Sequence, residues 1–145
     1  MATARPKLQP NGLPLGESLR EGLEIAPCDF AELINHSATR VAIVDVRLKE
    51  EFDAARVPGS IHIPVDEIER RADEVRELEA DVIGLMCHHG VRSLRAASTL
   101  QALGVPQARS IYGGIDLWSW AVDHGVPRYE RNGARVWLVD PATPK

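Results

Sequence analysis

Short apolar runs rich in valine and isoleucine alternate with segments of helical periodicity along most of this chain. The runs are RVAIVDV at 40–46, DVIGLMC at 81–87 and ARSIY at 108–112. An almost continuous apolar run of this length is typical of a strand that is buried on both faces of a parallel sheet. Because the strands alternate with helices, we predict a parallel sheet that is covered by helices on both faces and joined by right-handed crossovers.

Capping signals and apolar spacing predict the remaining elements. The first helix is expected at 28–36, with Asp29 as its cap and Glu32 completing a capping box. A turn and a short strand that ends at Pro64 are expected at 57–64. The other helices share apolar residues at helical spacing, and they are expected at 49–55, 66–78, 92–103 and 115–125.

The two ends of the chain break this alternation. The first 22 residues contain three prolines and show little periodicity, which is typical of an extended arm. Near the other end, Asn132–Gly133 lies at the centre of RYERNGARVWLV, a strong signal for a β-hairpin. We therefore predict an N-terminal arm at 1–22, a domain at 23–127 and a hairpin with a tail at 128–145. The arm and the hairpin could bind a partner, pair two subunits or cover a sheet edge.

Composition narrows the class of protein. The chain has 145 residues with a net charge of −4, which argues against a general nucleic-acid-binding protein. We expect no membrane association, because no apolar run approaches the roughly 20 residues that span a bilayer. The first residues lack the apolar core of a secretory signal, so a cytoplasmic location is expected. The two cysteines, Cys28 and Cys87, do not form a disulfide framework or a CxxC pair, and free thiols are expected.

Cys87 lies at the carboxyl end of a predicted strand, where ligands bind in open parallel sheets. The next helix begins about five residues later, so backbone N–H groups and the helix N-terminus can converge on its sulfur. Such a cradle favours the thiolate over the thiol and holds an anion that is attached to the sulfur. Gly90 suits a tight turn that needs a positive φ. Arg92 and Arg95 can meet an oxyanion with forked guanidinium groups, and a local basic site on an acidic chain suggests a small anionic substrate.

His88 and His89 raise the question of a metal site. Adjacent histidines rarely point at one ion, and the spacing supplies no third ligand. We expect no metal, and we expect these side chains to line the pocket while their N–H groups help to build it. They could also tune the thiolate or select the acceptor. Cys28 has no basic cluster around it, so a structural role is expected for it.

Three blocks of the sequence, in order, resemble the rhodanese family of sulfurtransferases. CHHGVRS resembles the active-site loop of the family. IVDVRLKEEFDAARVPGSIHIP resembles its N-terminal signature, with Asp45, Arg47 and Pro58–Gly59 in place, and IYGGIDLWSWAVDHGVP resembles its C-terminal signature, with Gly113–Gly114 and Trp118. The likeness covers about residues 23–127. The chain departs from the usual pattern at Arg56–Val57, before Pro58, and we assign Arg56 no role.

The resemblance implies a three-layer α/β fold with a mostly parallel, five-stranded central sheet and helices on both faces. It also implies that Cys87 takes a sulfane sulfur from thiosulfate or a persulfide donor, becomes a persulfide and passes the sulfur to cyanide, a thiol or a protein acceptor. The substrate-binding residues would then be His88, His89, Gly90, Val91 and Arg92. We expect Asp45, Arg47 and Ser93 to support the site through hydrogen bonds, and no cofactor to be required.

Two alternatives stay open at this point. Four residues separate Cys87 from Arg92, whereas related phosphatases place five residues between cysteine and arginine, so a phosphatase or arsenate reductase is the lesser alternative. Single-domain members of the resembled family can also act as sulfur relays that bind a dedicated protein partner.

Overall fold

The computed structural model describes residues 5–36 and 38–139 as a set of short strands and helices. The strands are β1 (Glu24–Ile25), β2 (Val41–Asp45), β3 (Ile61–His62), β4 (Val82–Met86), β5 (Ala108–Ile111), β6 (Tyr129–Asn132) and β7 (Arg135–Leu138). The helices are α1 (Pro27–Ile34), α2 (Lys49–Ala54), α3 (Ala72–Arg76), α4 (Val91–Ala102) and α5 (Gly114–Ala121), with a 3-10 turn at Val65–Glu67. No helix in these described ranges is long and apolar enough to cross a bilayer.

The central sheet has five strands in the order β1-β5-β4-β2-β3, and all neighbouring strands pair in parallel. The predicted fold class is therefore confirmed. β4 lies at the centre between β2 and β5, and Asp45 at the end of β2 is in register with Met86 at the end of β4. This register brings the loops after β2 and β4 to the same edge of the sheet.

Alternate residues of the sheet face two separate apolar layers. On one face, Val44 and Leu85 pack with α3 and α4, represented by Val75 and Leu100, and all four side chains are completely buried. On the other face, Met86 belongs to a second cluster formed with α1 and α5, whose members include Phe30, Ile115 and Trp118. Burial of β4 on both faces explains its continuous apolar sequence.

Two expectations about local structure are wrong, and one strand was not expected. α1 begins at Pro27, whose fixed φ suits a first helical position, and no side-chain cap is present, so Asp29 lies inside the first turn. The segment 66–78 is a 3-10 turn followed by the short α3 instead of one helix. Ile68, Ala72 and Val75 are nevertheless buried and Leu78 is partly buried, because the periodicity reports which side is covered and not whether the helix is continuous. β1, with only two residues, was not predicted at all.

Both terminal segments contact the domain. The described part of the N-terminal segment folds back, with Leu13 only 3% exposed and the N–H of Cys28 donating to the carbonyl of Asn11 at 3.0 Å. β6 and β7 form the expected antiparallel hairpin, and Asn132 pairs with Arg135 around a two-residue turn. The hairpin lies beside α2, which brings it to the carboxyl edge of the central sheet.

Candidate active site

Cys87 directly follows β4, and its side chain is 1% exposed. The N–H of Gly90 donates to Cys87 Sγ at 3.0 Å. Cys87 Sγ also lies 3.2 Å from Ser93 Oγ, which in turn lies 2.7 Å from Ser110 Oγ. Both serines are completely buried. The sulfur is therefore held by one backbone donor and by the end of a short chain of hydroxyl groups, which can donate to it once it is ionised.

The turn at Gly90 has the left-handed conformation that a glycine adopts without strain. Its φ is +97°, and a Cβ at this position would lie 3.0 Å from the backbone nitrogen of Gly113. α4 begins at the next residue, Val91, so the N-terminus of a twelve-residue helix lies beside the sulfur. Positive φ, close packing and the helix N-terminus together aim the backbone N–H of Gly90 at Cys87.

α5 fixes the opposite side of the same loop. The N–H of Ile115 donates to the carbonyl of Cys87 at 2.8 Å, and the N–H of Asp116 donates to the carbonyl of His88 at 3.2 Å. A Cβ at Gly114 would collide with both of these carbonyl oxygens. The Gly113–Gly114 turn thus allows the start of α5 to approach the loop closely enough to bond its carbonyl groups.

Arg92, the loop residue expected to contact substrate, is paired with a carboxylate of its own chain. Its two terminal nitrogens donate to the two oxygens of Glu51 in α2, at 2.6 and 2.8 Å. The Glu51 carboxylate also accepts hydrogen bonds from the Tyr129 hydroxyl at 2.7 Å and from the N–H of Leu48 at 3.0 Å, and it lies 3.4 Å from Nε of Arg131. Glu51 is completely buried.

The protonation of Glu51 follows from these contacts. Burial alone raises the pKa of Glu51, but the hydrogen bonds from Arg92, Tyr129 and Leu48 outweigh it and lower the pKa to about 2. The hydrogen bond between Arg92 and Glu51 is also the main reason why the pKa of Arg92 is raised. Burial is the main reason why the pKa of Tyr129 is raised. At neutral pH the site therefore contains an ionised Glu51 with a charged Arg92 and a neutral phenol.

Asp45 and Arg47 form a second buried ion pair behind the site. Nε and one terminal nitrogen of Arg47 donate to the Asp45 carboxylate at 2.9 and 2.7 Å. The other contacts of Arg47 reach the carbonyl of Ala55 at 2.6 Å and the hydroxyl of Tyr129 at 3.1 Å. The pair thus links the end of β2 to α2 and to the hairpin, while neither residue lines the cavity above Cys87.

The two adjacent histidines have different surroundings. His88 is stacked between His89 and Tyr129, with ring centroids 3.8 and 4.1 Å away, and its Nε2–H donates to the carbonyl of Tyr129 at 3.1 Å. Burial, together with the nearby His89, lowers the pKa of His88 to about 4. His89 is exposed at the mouth of the cavity. His88 is thus a neutral side chain that fastens the loop to the hairpin.

A metal site at these histidines is poorly supported by their contacts. His88, His89 and Asp116 place one ligand atom each within 4.8 Å of one another, so the fold supplies the third residue that the sequence spacing did not. Asp116, however, already accepts a hydrogen bond from Arg128 at 3.0 Å, and Nε2 of His88 is bonded to Tyr129. Since these groups have partners within the protein, we assign them no ion.

A cavity of about 660 Å³ lies above Cys87. It is lined by loop residues and by residues of the hairpin, namely Cys87, His88, His89, Val91, Arg92, Glu130, Arg131 and Trp137. Sequence reasoning missed the hairpin residues as well as Glu51 and Ser110. The sequence shows the acidic KEEF segment, which contains Glu51, and it shows the hairpin signal. It does not show which residues these segments contact, because those residues are distant in sequence. Arg95, expected near the anion, lies on the exposed side of α4 and is absent from this lining.

A family model described as Rhodanese-like domain matches residues 27–121, well over half of the chain. The chain is also 29% identical to the adenylyltransferase and sulfurtransferase UBA4 of Candida albicans over 119 residues, which cover 78% of this chain and 27% of that protein. It thus spans little more than a quarter of this longer relative.

Two solved structures are similar to this one. The human single-domain sulfurtransferase TSTD1 superposes with a TM-score of 0.54 at 28% identity, covering 62% of this chain and 88% of that chain. A Rhodopseudomonas palustris protein of unknown function, described as a possible tyrosine phosphatase, superposes with a TM-score of 0.60 at 28% identity. It covers 70% of this chain and 80% of that chain.

Proposed function

Because the chain belongs to the rhodanese-like domain family, we propose that it is a sulfurtransferase that carries sulfur as a persulfide on Cys87. The observation that carries this proposal is the position of Cys87 Sγ, at the floor of a cavity and bonded by the N–H of Gly90 at 3.0 Å. The matches to proteins described as sulfurtransferases support sulfur transfer in general. The choice of Cys87 as the sulfur carrier rests on the geometry of the site.

In the first step the Cys87 thiolate attacks the outer sulfur of a donor such as thiosulfate. A sulfur–sulfur bond forms to Cys87, the bond inside the donor breaks, and its electron pair leaves with sulfite. In the second step an acceptor thiolate attacks the terminal sulfur of the persulfide and restores the Cys87 thiolate. The chemistry needs no external oxidant or metal. The N–H of Gly90 and the hydroxyl of Ser93 stabilise negative charge on the Cys87 sulfur.

The main role of Arg92 in this reaction is to hold the start of α4 in place beside Cys87. Its guanidinium lines the cavity, but both terminal nitrogens are bonded to Glu51. The end-on fork that these two nitrogens form is therefore already in use, although the bonds to Glu51 take only two of the five N–H groups of the guanidinium. Arg92 can still attract an anion by its charge, while its bond to Glu51 holds the first turn of α4 in place below the cavity.

Phosphate-ester hydrolysis is the second candidate, and the likeness to the Rhodopseudomonas palustris protein is in its favour. Two features of the site argue against it. The loop has four residues between Cys87 and Arg92, and the end-on fork of the Arg92 guanidinium already holds the Glu51 carboxylate. We therefore favour sulfur transfer, to a small thiol or to a protein acceptor.

Intact-mass measurement after incubation with thiosulfate tests the proposal. Wild type should gain the mass of one sulfur atom, and a thiol reductant should remove it. Cys87→Ala should gain nothing, whereas Cys28→Ala, which changes the other cysteine of the chain, should still gain the sulfur. An adduct that persists in Cys87→Ala, or turnover of an aryl phosphate without any sulfur adduct on wild type, would refute the proposed function.

A further inference from the structure

The hairpin supplies part of the cavity wall although it lies outside the segment that matches the family. The match ends at residue 121, whereas Glu130, Arg131 and Trp137 of the hairpin line the cavity above Cys87. This part of the wall therefore lies outside the segment that the family model describes.

The hairpin is fastened firmly enough to form a permanent wall. The hydroxyl of Tyr129 bonds to Glu51 at 2.7 Å, and its carbonyl accepts the bond from His88. At the start of β6, Arg128 donates to Asp116 at 3.0 Å, and both partners are largely buried. These contacts tie the hairpin to α2, to the loop after β4 and to α5, so its position above Cys87 is fixed by the same groups that build the site.

The cavity is larger than an inorganic sulfur donor needs. Its volume of about 660 Å³ equals the liquid volume of roughly twenty water molecules at about 30 Å³ each. It falls in the range of about 300–1,000 Å³ that is usual for sites of small organic ligands. A donor with only a few atoms would occupy the floor beside Cys87 and leave the hairpin wall without contacts.

The hairpin wall has an aromatic surface and both signs of charge. Trp137 is 41% exposed and can cover a carbon skeleton. The side chain of Arg131 is 32% exposed, and it lies 3.4 Å from Glu51 through Nε while one terminal nitrogen donates to the carbonyl of Gly133 at 3.0 Å. Since Glu51 also neutralises Arg92, the three groups together keep one net positive charge. Glu130 provides a carboxylate on the same wall.

On the basis of the proposed function, we propose that the hairpin makes this cavity a site for a small organic persulfide that carries a carboxylate. The carboxylate is held by Arg131, the carbon skeleton lies on Trp137, and the reacting sulfur reaches Cys87. The Cys87 thiolate attacks the outer sulfur of R–S–SH, the inner S–S bond breaks, and its electron pair leaves on the thiolate RS⁻. The transferred sulfur keeps its proton, and Cys87 becomes the persulfide.

Two donors that differ by one carboxylate test this assignment. Cysteine persulfide and cysteamine persulfide both carry an ammonium group that can face Glu130, but only the first has a carboxylate for Arg131. We expect wild type to load Cys87 from cysteine persulfide with a kcat/KM at least about tenfold higher, since a hydrogen bond to a charged group has about this effect. In Arg131→Gln the ratio between the two donors should fall towards one.

Two further variants distinguish the loss of the Arg131 charge from a loss of structure. Arg131→Lys keeps the charge and should retain part of the preference. Arg95→Gln removes the same charge from the exposed side of α4, at a residue that does not line the cavity, and it should leave the preference unchanged. Thermal unfolding of each variant shows whether the hairpin is intact.

The outcomes separate this inference from the function on which it rests. If thiosulfate loads Cys87 but the two persulfides react equally, or if Arg131→Gln keeps the preference, the assignment of the wall is overturned and sulfur transfer stands. Loading by a protein persulfide alone would overturn it as well, because the wall would then serve a protein partner. If no donor loads Cys87, the proposed function itself fails.

Discussion

The two terminal nitrogens of Arg92 donate to the two carboxylate oxygens of Glu51, a residue 41 positions earlier, at 2.6 and 2.8 Å. A forked pair of this kind fixes the plane and the direction of the guanidinium. The pair therefore ties the loop around Cys87 to α2. Because Glu51 also receives the hydroxyl of Tyr129, one buried carboxylate holds the loop, the helix and the hairpin together.

Glu51→Gln should strongly lower the free energy of unfolding. The change leaves the charge of Arg92 without its partner, and removing one member of a buried ion pair typically costs about 3–5 kcal/mol. Chemical denaturation measures the loss. Glu50→Gln, at an exposed neighbour in the same helix, should change the free energy of unfolding by less than about 0.5 kcal/mol. Equal effects of the two variants would contradict the role of Glu51.

His88 should make stability depend on pH between about 6.5 and 4. Its pKa is about 4 in the folded protein and 6.5 as the ordinary value. Because the unfolded chain binds the proton first, stability is fully present above pH 6.5 and falls as the pH drops towards the folded pKa. The slope contributed by one such group approaches about 1.4 kcal/mol per pH unit. Denaturation at several pH values should show this slope in wild type and in His36→Gln, an exposed control, but a smaller one in His88→Gln.

Ser93→Ala should slow the reactions of Cys87. Ser93 Oγ lies 3.2 Å from the sulfur, and a hydrogen bond to a charged group contributes about 1.5–3 kcal/mol. We expect both alkylation of Cys87 by iodoacetamide and persulfide formation to slow by about 10–100-fold. Ser98→Ala, on the exposed side of the same helix, should react like wild type. Unchanged alkylation in Ser93→Ala would show that the hydroxyl does not stabilise the thiolate.

Gly90→Ala should reduce activity more than its effect on stability suggests. Gly90 and Gly104 both have a φ near +90°, so alanine at either position incurs a similar backbone strain of about 1 kcal/mol. Only at Gly90 does the added Cβ meet a neighbour, the nitrogen of Gly113 at 3.0 Å. Persulfide formation should therefore fall at least about tenfold in Gly90→Ala and remain normal in Gly104→Ala. A similar loss of activity in both variants would assign the effect to strain alone.

The sequence was sufficient for the features that depend on local periodicity. The apolar run of β4 and the glycine after Cys87 predicted both the parallel sheet and the turn beside the sulfur. The two residues of β1 are too few to show any periodicity. The bond between Arg92 and Glu51 could not be predicted, because it joins residues that only the packing of α2 brings together. The hairpin was predicted as an element, but its position above Cys87 depends on the Tyr129 and His88 contacts, which leave no periodic signal.

The bonds from Ile115 and Asp116 to the carbonyls of Cys87 and His88 have a consequence for the speed of the chemistry. A peptide plane whose carbonyl is held from one side cannot rotate, so the peptide dipoles of the loop are oriented when the protein folds. In bulk water, surrounding dipoles must reorient each time charge moves onto or away from a sulfur atom. In the sulfur transfer proposed for Cys87, that reorganisation would be largely complete before the donor binds, and the barrier would be lower at every turnover.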